Sequence, residues 1–263
     1  MKPDYKNWMP KGMVYGFFGG ALAALVVSLV LGCTPLLEPG TLKTVLTVLF
    51  AIAAIVLCGA GIWASKMYAA FDYNGERQMS RQIIEGTAAY VTAPQDGLIL
   101  DVGCGSGALS IAAAKANPQA KVIGIDRWGK EYASFSKALC EQNAQVEGVS
   151  NASFQQGDAT HLDFPDGMFD AVTSNYVYHN IPSKDRQEIL LETLRTLKKG
   201  GTFALHDIFS KSKYGDMQAF VRKLEDMGYE KVELIDTTNG MFMTKSEAKW
   251  MELSGSALLT GIK

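Results

Sequence analysis

A glycine-rich loop follows an apolar run in the segment Leu98 to Ser110, which reads LILDVGCGSGALS. Its three glycines alternate with small residues, so the backbone of this loop can approach a nucleotide closely. The segment also satisfies the dinucleotide fingerprint GxGxxA, with Gly103, Gly105 and Ala108 at the three positions, and Asp126 follows where a ribose-binding carboxylate belongs. The loop alone therefore predicts a nucleotide cofactor without saying which one.

Four features around the loop distinguish between cofactors. Asp101 precedes the glycines, and Asp158 follows the third predicted strand in QQGDATHLDFPDGMFDAV. The stretch LETLRTLKKGGTFALHD has the composition of a helix, a glycine turn and a strand, and two further strands close the chain. In combination these features resemble the class I S-adenosylmethionine-dependent methyltransferases, from about Gly75 to Lys263. The resemblance implies S-adenosylmethionine as cofactor, and an NAD-dependent oxidoreductase is the less favoured alternative.

Within that class, FPDGMFDAVTSNYVYHNI is similar to a segment of the ubiquinone and menaquinone C-methyltransferases. Asn180 is in place, whereas His179 stands where that group usually carries arginine, so the resemblance does not fix a quinone as substrate.

The resemblance also implies roles for individual residues. The glycines admit the methionine part of the cofactor, Asp101 holds its amino group, Asp126 the ribose hydroxyls and Asp158 the adenine amine. Arg127 and Trp128 are placed to flank the adenine, with a solvated surface charge as the alternative for Arg127. The full predicted cofactor set is Asp101, Gly103, Cys104, Gly105, Gly107, Asp126, Arg127, Asp158, Ala159 and Asn175.

Residues that act on the methyl acceptor are expected after the fourth and fifth strands. Methyl transfer from a sulfonium requires alignment and exclusion of water, and a histidine there can serve as general base. The alternative is that these histidines cap strands or pack against helices. The predicted catalytic set is His179, Tyr178, His206 and Asp207, with Asn175 and Tyr176 beside it.

No metal is predicted at this site. Asp207 with Asn175 resembles the ligands of magnesium-dependent O-methyltransferases, but the required cluster of acids is absent from the sequence pattern. His161 beside Asp163 is predicted to be a loop residue. The four cysteines have no paired spacing, so Cys104 is expected to be a small loop residue and Cys140 a core thiol.

Apolar and helical segments alternate along the part of the chain that carries these residues, which predicts an α/β fold. We expect a Rossmann-like, seven-stranded, mostly parallel sheet with an antiparallel last strand, and a ligand site beyond the carboxyl ends of the strands. The predicted strands are Leu98 to Val102, Lys121 to Ile125, Ala152 to Gln155, Phe169 to Ser174, Thr202 to His206, KVELID and ALLTGIK. The predicted helices begin near Ser106, Gly129, Ser183 and Tyr214, after an amphipathic lead-in helix carrying Met79, Ile83, Thr87 and Tyr90.

Two long apolar segments precede this domain. No charged residue occurs from Gly12 to Leu37 or from Thr44 to Ser65, and each run has the length of about 20 residues that a membrane helix needs. They predict two transmembrane helices, at about residues 13–33 and 42–64. A buried soluble hairpin is disfavoured because both runs are apolar on every face. A lipoprotein signal ending at Cys33 is disfavoured because a second apolar segment follows at once.

The predicted organisation is an anchor at residues 1–66, an interfacial segment with the lead-in helix at 67–97, and the methyltransferase domain at 98–263. Interface aromatics are expected at Trp63, Tyr68, Phe71 and Tyr73. Both ends of the hairpin are expected in the cytoplasm because basic residues flank them. Those residues are Lys2, Lys6 and Lys11 before the first helix and Lys66, Arg77 and Arg81 after the second.

The expected partners are the lipid bilayer and a small lipophilic acceptor, with the enzyme integral to the cytoplasmic membrane. The net charge of -2 disfavours nucleic acid. Gly12, Gly16 and Gly20 form a small-residue helix face, which predicts packing against Gly59 and Gly61 of the second helix or, alternatively, a homodimer. A catalytically silent, membrane-tethered sensor or scaffold that binds the cofactor is the alternative function.

Overall fold

The computed structural model describes residues 2–129 and 134–263. The chain forms two compact units. One consists of residues 7–80, and the other joins residues 1–6 to residues 81–263. The boundary after residue 80 falls within the segment 67–97 that is expected to join the anchor to the methyltransferase domain, and the first residues belong with the α/β unit rather than with the apolar helices.

Two long apolar helices dominate the smaller unit. Helix α1 spans Lys11–Cys33, and helix α2 spans Thr41–Phe71. The second helix runs seven residues beyond its expected end at residue 64, because no helix-breaking residue occurs before Asp72, where a turn begins. Both helices are long and apolar enough to cross a membrane by length and composition. Their outer surfaces are apolar and exposed, with Ile55 73% exposed.

The glycines of the hairpin contribute unequally to the contact between α1 and α2. A methyl group at Gly61 would lie 2.9 Å from the ring of Phe18, and one at Gly20 would lie 3.3 Å from Leu57. Within the described residues, a methyl group at Gly12, Gly16 or Gly59 would meet no atom within 4 Å. The expected packing of the whole glycine face against α2 is therefore wrong, and Gly20 is the one member of that face in close contact with α2.

The larger unit is built on a seven-stranded sheet in the order β3-β2-β1-β4-β5-β7-β6. Strands β1 to β5 are parallel, and β7 runs antiparallel to both β5 and β6. This confirms the predicted fold class. The strands are β1 Leu98–Val102, β2 Lys121–Asp126, β3 Ala152–Gln156, β4 Phe169–Asn175, β5 Leu197–Ile208, β6 Lys231–Asp236 and β7 Ser256–Ile262.

The central strands β1, β4 and β5 are buried on both faces. Because side chains alternate across a strand, Leu100 and Phe203 lie in one apolar cluster, and Ile99 and Ala204 lie in another. Both faces are thus covered, as a parallel sheet requires. The arrangement brings the carboxyl ends of β1, β2, β4 and β5 to one edge.

Helices connect the strands, and several begin later than the sequence pattern predicts. Lead-in helix α3 has the expected start and a fully buried Met79 and Ile83, but it ends before Tyr90. The helices of this part of the chain are α3 Met79–Ala88, α4 Ala108–Ala116, α5 Lys137–Val146, α6 Arg186–Arg195, α7 Lys211–Tyr214, α8 Met217–Asp226 and α9 Lys245–Trp250, with a 3-10 turn at Tyr178–Asn180.

Local capping explains the later starts. The side chain of Ser136 accepts from the Leu139 amide and starts α5 at Lys137. The helix predicted to begin near Gly129 falls on residues 130–133, which lie outside the described part of the chain. Asp185 caps α6 in the same way. The predicted start at Tyr214 is the end of α7, because Gly215 interrupts the helix with φ of +72°.

Candidate functional site

The glycine loop connects the end of β1 to the start of α4, at the carboxyl edge of the sheet. Gly103, Gly105 and Gly107 have φ values of +76°, +55° and +82°, a region that L-residues rarely adopt. The amides of Gly103 and Cys104 both donate to the carbonyl of Ile125, at 2.8 and 2.9 Å. The loop is thereby attached to the end of β2.

The three glycines differ in what surrounds them. A methyl group at Gly103 would lie 2.3 Å from Val177, and one at Gly107 would lie 3.1 Å from Phe154, so the protein's own side chains fill those two positions. At Gly105 the nearest atom would be the ring of Phe135 at 3.8 Å. Gly105 is therefore the glycine whose surroundings leave room for a ligand.

Asp101 presents a carboxylate oxygen without a protein partner. The residue is 1% exposed, and its Oδ2 accepts a hydrogen bond from Ser110 Oγ at 2.5 Å. Its Oδ1 is buried and has no hydrogen-bond partner among the described residues. Burial raises the pKa of this carboxyl to about 7, and the neighbouring charge of Asp126 adds to the shift. Because a buried polar atom normally has a partner, Oδ1 fits a ligand that donates a hydrogen bond, such as the amino group of S-adenosylmethionine.

Asp126 and Trp128 hold the middle of the loop. The two carboxylate oxygens of Asp126 accept from the Gly105 amide at 2.9 Å and from the Trp128 amide at 2.7 Å. The indole Nε1 of Trp128 donates to the Gly105 carbonyl at 3.0 Å. Trp128 adopts φ of +44°, an unusual conformation for this residue type. Arg127 is exposed beside them.

Asp158 follows β3 in a tight turn. Its Oδ1 accepts from the amide and the hydroxyl of Thr160, at 2.8 and 2.7 Å, and these hydrogen bonds hold the pKa of the carboxyl below its usual range. Ala159 packs against the apolar core, and the Gly157 amide donates to the Asp126 carbonyl at 3.1 Å. These contacts place the turn next to the end of β2.

A histidine and an aspartate pair at the ends of β4 and β5. The Nδ1 of His179 lies 2.6 Å from Oδ1 of Asp207, and the His179 side chain is 13% exposed. Asp207 is fully buried, and its Oδ2 accepts from the amides of Tyr178 and His179 at 2.9 and 3.3 Å. Within the described residues, no hydrogen bond reaches Nε2 of His179.

His206 has a different environment from His179. Its Nδ1 lies 2.7 Å from Asn175 Oδ1 and its Nε2 lies 3.0 Å from Thr237 Oγ1, so both ring nitrogens have partners. Full burial lowers the pKa of His206 to about 3, which keeps the ring neutral. The prediction that His206 acts on an acceptor is therefore corrected. His206 is a buried residue whose side chain links β5 to the segment after β6. Asn175, predicted to bind the cofactor, pairs its side chain with this histidine.

The prediction for Tyr178 also needs correction. Its ring is fully buried, and its hydroxyl lies 3.0 Å from Thr193 Oγ1 in the core. Tyr176, two residues earlier, is only partly buried and adopts φ of +55°. Its ring packs 4.7 Å from that of His206 and 5.9 Å from that of His179. Tyr176 is thus the tyrosine beside the paired histidine.

Sequence reasoning missed the residues that support this aromatic group. Tyr176 Oη lies 2.8 Å from Ser256 Oγ, and the ring of Phe242 lies 5.4 Å from that of His206. The backbone of Gly86 in α3 closely approaches Phe242, since a methyl group there would lie 2.2 Å from the ring. These contacts join segments far apart in sequence, and no local motif marks them.

The remaining predicted residues lie outside this group. His161 is 83% exposed in a loop and its Nε2 is 3.8 Å from Asp163, which fits the predicted loop position. Cys104 and Cys140 are buried, and Cys140 Sγ lies 3.2 Å from the Gly105 carbonyl. Across residues 2–129 and 134–263, no group of three or more His, Cys, Asp or Glu side chains is arranged to hold a metal ion.

The sheet order, the glycine loop, the acids near the ends of β1 and β2 and the acid after β3 are those expected of a class I S-adenosylmethionine-dependent methyltransferase. The family described as Methyltransferase domain matches residues 95–254. The chain belongs to this family. The match favours a methyltransferase over the NAD-dependent oxidoreductase.

Two relatives and one solved structure are similar to parts of this chain. Demethylmenaquinone methyltransferase of Lactobacillus johnsonii is 40% identical over 103 residues, covering 39% of this chain and 40% of the relative. Arsenite methyltransferase of Aquipseudomonas alcaligenes is 32% identical over 122 residues, covering 45% and 34%. The [4+2]-cyclase SpnF shares the fold with a TM-score of 0.54 at 19% identity, over 73% of this chain and 85% of its own. The chain spans less than half the length of these curated relatives.

Proposed function

We propose that this protein transfers the methyl group of S-adenosylmethionine to a nucleophilic atom of a small lipophilic acceptor that reaches it from a membrane. The observation that carries the proposal is the arrangement of His179, whose Nδ1 pairs with buried Asp207 while its Nε2 has no hydrogen-bond partner among the described residues. That arrangement is what a general base requires.

The residues around the glycine loop are proposed to hold the cofactor. When bound, S-adenosylmethionine supplies a methyl group on a positively charged sulfur that needs no further activation. Asp101 Oδ1 accepts from the amino group, Asp126 from the ribose hydroxyls, and Asp158 from the adenine amine. Gly105 leaves the room that the methionine part occupies.

His179 is proposed to remove the proton that the acceptor loses. Asp207 accepts the Nδ1 proton and holds the ring in one tautomer, which leaves the lone pair on Nε2 for the acceptor. The charge of Asp207 also stabilises the imidazolium after proton transfer. The ring of Tyr176 packs against His179 and excludes water from one side of it.

The two apolar helices support a membrane location and a lipophilic acceptor. Their exposed surfaces are apolar over lengths that match a bilayer. Acceptors of this kind include lipids, quinones, and apolar thiols or phenols. One relative is named for demethylmenaquinone.

The proposed location is the cytoplasmic membrane, with the larger unit in the cytoplasm. Basic residues flank both ends of the hairpin, as the positive-inside rule requires. Residues 1–6 and residues 81–263 belong to one compact unit, which supports a hairpin whose two ends lie on the same side of the bilayer.

Methyl transfer to a lipophilic acceptor is tested with the full chain in lipid nanodiscs. The protein is incubated with tritium-labelled S-adenosylmethionine and with either the lipid extract or the aqueous extract of bacterial membranes and cytosol. Label in an organic-phase product, lost in His179→Gln, is the expected result. Label confined to water-soluble products contradicts the lipophilic acceptor. Cofactor binding without label in any product favours the silent sensor.

A further inference from the structure

The segment that precedes α1 is bonded to the cofactor loop. The side-chain amide of Asn143 in α5 pairs with the backbone of Asp4 in both directions. Asp4 N donates to Asn143 Oδ1 at 2.8 Å, and Asn143 Nδ2 donates to the Asp4 carbonyl at 3.0 Å. Two such reciprocal hydrogen bonds also join residues of paired β-strands. Here one partner is the side-chain amide of Asn143 and the other is the backbone of Asp4.

The same asparagine and the next residue of the segment reach Ser106, which lies between Gly105 and Gly107. Asn143 Nδ2 also donates to the Ser106 carbonyl at 3.0 Å, and Ser106 Oγ donates to the Tyr5 carbonyl at 2.8 Å. Asn143 is 1% exposed, and Ser106 and Tyr5 are each 6% exposed. The carbonyl and the hydroxyl of Ser106 are therefore hydrogen-bonded to Asn143 and to the Tyr5 carbonyl rather than to solvent.

A turn ends the segment just before the chain continues towards α1. Lys6 adopts φ of +56°, and its amide and ammonium groups both donate to the Asp4 carboxylate, at 3.2 and 2.5 Å. A lysine in the left-handed region is uncommon and persists where surrounding contacts hold it. The turn and the Asn143 contacts therefore define a specific docked conformation for residues 2–6.

We propose that residues 2–6 are a positioning segment of the cofactor site. Asn143 holds the Ser106 carbonyl and the Tyr5 carbonyl holds the Ser106 hydroxyl, so that Gly105 presents its open side to S-adenosylmethionine. The adjoining amide of Gly105 is held on its other side by Asp126 at 2.9 Å. The loop is clamped from two directions, by the end of β2 and by the docked segment.

Docking of the segment and binding of the cofactor are then coupled. Linkage between two binding events is reciprocal. If docking of the segment raises the affinity for the cofactor by some factor, binding of the cofactor raises the equilibrium constant for docking by the same factor.

The test uses the full chain in nanodiscs and measures cofactor binding rather than methyl transfer. Isothermal titration calorimetry gives the Kd of S-adenosylmethionine for Asn143→Ala and Ser106→Ala, which remove the Asn143 amide contacts and the Ser106 hydroxyl contact respectively. We expect the Kd to rise about tenfold in each. Hydrogen exchange at the amides of residues 4 and 6 should slow when the cofactor binds.

Asn151→Ala is the matched control. The side-chain amide of Asn151 donates to the carbonyls of Ala114, Asn117 and Ala120, away from the glycine loop. This variant loses buried hydrogen bonds comparable to those of Asn143 and is expected to lower the unfolding temperature without changing the Kd. A Kd within twofold of wild type in both Asn143→Ala and Ser106→Ala, with cofactor-independent exchange at residues 4 and 6, overturns the proposal. Neither readout depends on the acceptor, so a wrong assignment of the acceptor leaves this test unaffected.

Discussion

His179 Nδ1 and Asp207 Oδ1 are 2.6 Å apart, and Asp207 is fully buried while His179 retains some exposure. The aspartate accepts three further backbone hydrogen bonds, from residues 178, 179 and 208. These backbone hydrogen bonds orient the carboxylate of Asp207 independently of its contact with the imidazole of His179. The result is one imidazole orientation, with Nε2 directed away from the carboxylate.

Replacing Asp207 by asparagine should lower kcat by about 100-fold and leave the cofactor Kd within twofold of wild type. The amide no longer selects the tautomer with a proton on Nδ1, nor does it stabilise the imidazolium. Single-turnover kinetics with saturating cofactor measure the effect. His179→Gln should give a similar loss, and the double variant should be no worse than either single one. Independent, multiplicative losses would show that the two residues do not act as a pair.

The glycine loop offers a test that separates folding from cofactor binding. Gly105→Ala should weaken binding of S-adenosylmethionine at least tenfold, because its methyl group would occupy the open side of the loop. Gly148→Ala is the matched control, since Gly148 also has positive φ, at +68°, and has open space around it far from the site. Both variants should lose about 1 kcal/mol of stability. Equal cofactor affinity in the two variants would contradict the assignment of Gly105.

Gly103→Ala should instead prevent folding of the larger unit. Its methyl group would lie 2.3 Å from Val177. Val177 follows β4 and directly precedes Tyr178, so it cannot move without disturbing the hydrogen bond from the Tyr178 amide to Asp207. The expected result is aggregated or protease-sensitive protein. Val177→Ala in the Gly103→Ala background should restore part of the soluble yield, and failure to do so would argue against this clash as the cause.

The sheet and the glycine loop were predictable because their signals are local. Apolar runs, glycine turns and acids at strand ends depend on neighbours a few residues away. The acceptor site was not predictable to the same extent. His179 follows one apolar strand segment and His206 lies near the end of another, so the sequence gives no reason to assign them different roles. Burial and the contact with Thr237, 31 residues from His206 in sequence, make one of them a neutral structural group. The docking of Asp4 on Asn143 spans 139 residues and leaves no local pattern.

The affinity for S-adenosylmethionine should depend on the protonation of Asp101. Its pKa is raised to about 7 by burial, so the charged form that attracts an ammonium group is lost as the pH falls below 7. Asp101→Asn should weaken binding about 10- to 100-fold at pH 8. The ratio of the variant Kd to the wild-type Kd should shrink between pH 8 and pH 6, by up to about tenfold per pH unit. The titration of the cofactor itself affects both Kd values equally and therefore cancels in this ratio. A ratio that does not change with pH would exclude a contact between the Asp101 carboxylate and the amino group of the cofactor.

Asp101 and His206 should make opposite contributions to the pH dependence of folding. The pKa of Asp101 is raised from 3.8 to about 7, so between these values the folded protein holds a proton that the unfolded chain lacks, and stability falls as pH rises. The pKa of His206 is lowered from 6.5 to about 3, so there the unfolded chain holds the extra proton and stability rises with pH. Each slope is about 1.4 kcal/mol per pH unit, and the two cancel between about pH 4 and pH 6.5.

Variants reveal each slope separately. Asp101→Asn should become more stable as the pH rises from 4.5 to 6.5, and His206→Gln should become less stable over the same range. Denaturant unfolding of the detergent-solubilised protein, followed by tryptophan fluorescence, measures both. Because slopes are compared rather than absolute values, a general loss of stability in either variant does not affect the result. Identical slopes in the wild type and both variants would refute these pKa assignments.

The glycine face of α1 predicts a homodimer as an alternative to packing within the hairpin. A methyl group at Gly12 or Gly16 would meet no atom within 4 Å among the described residues, whereas one at Gly20 or Gly61 would lie in the contact between α1 and α2. If two copies associate through this face, Gly16→Leu should convert a dimer to a monomer, because close approach of helix backbones needs small residues there. Gly61→Leu should disturb the hairpin instead, since its side chain would meet Phe18. Crosslinking and light scattering in mild detergent measure the oligomeric state, with Ile55→Ala on the exposed surface of α2 as control. A wild-type protein that is monomeric at all concentrations contradicts the homodimer.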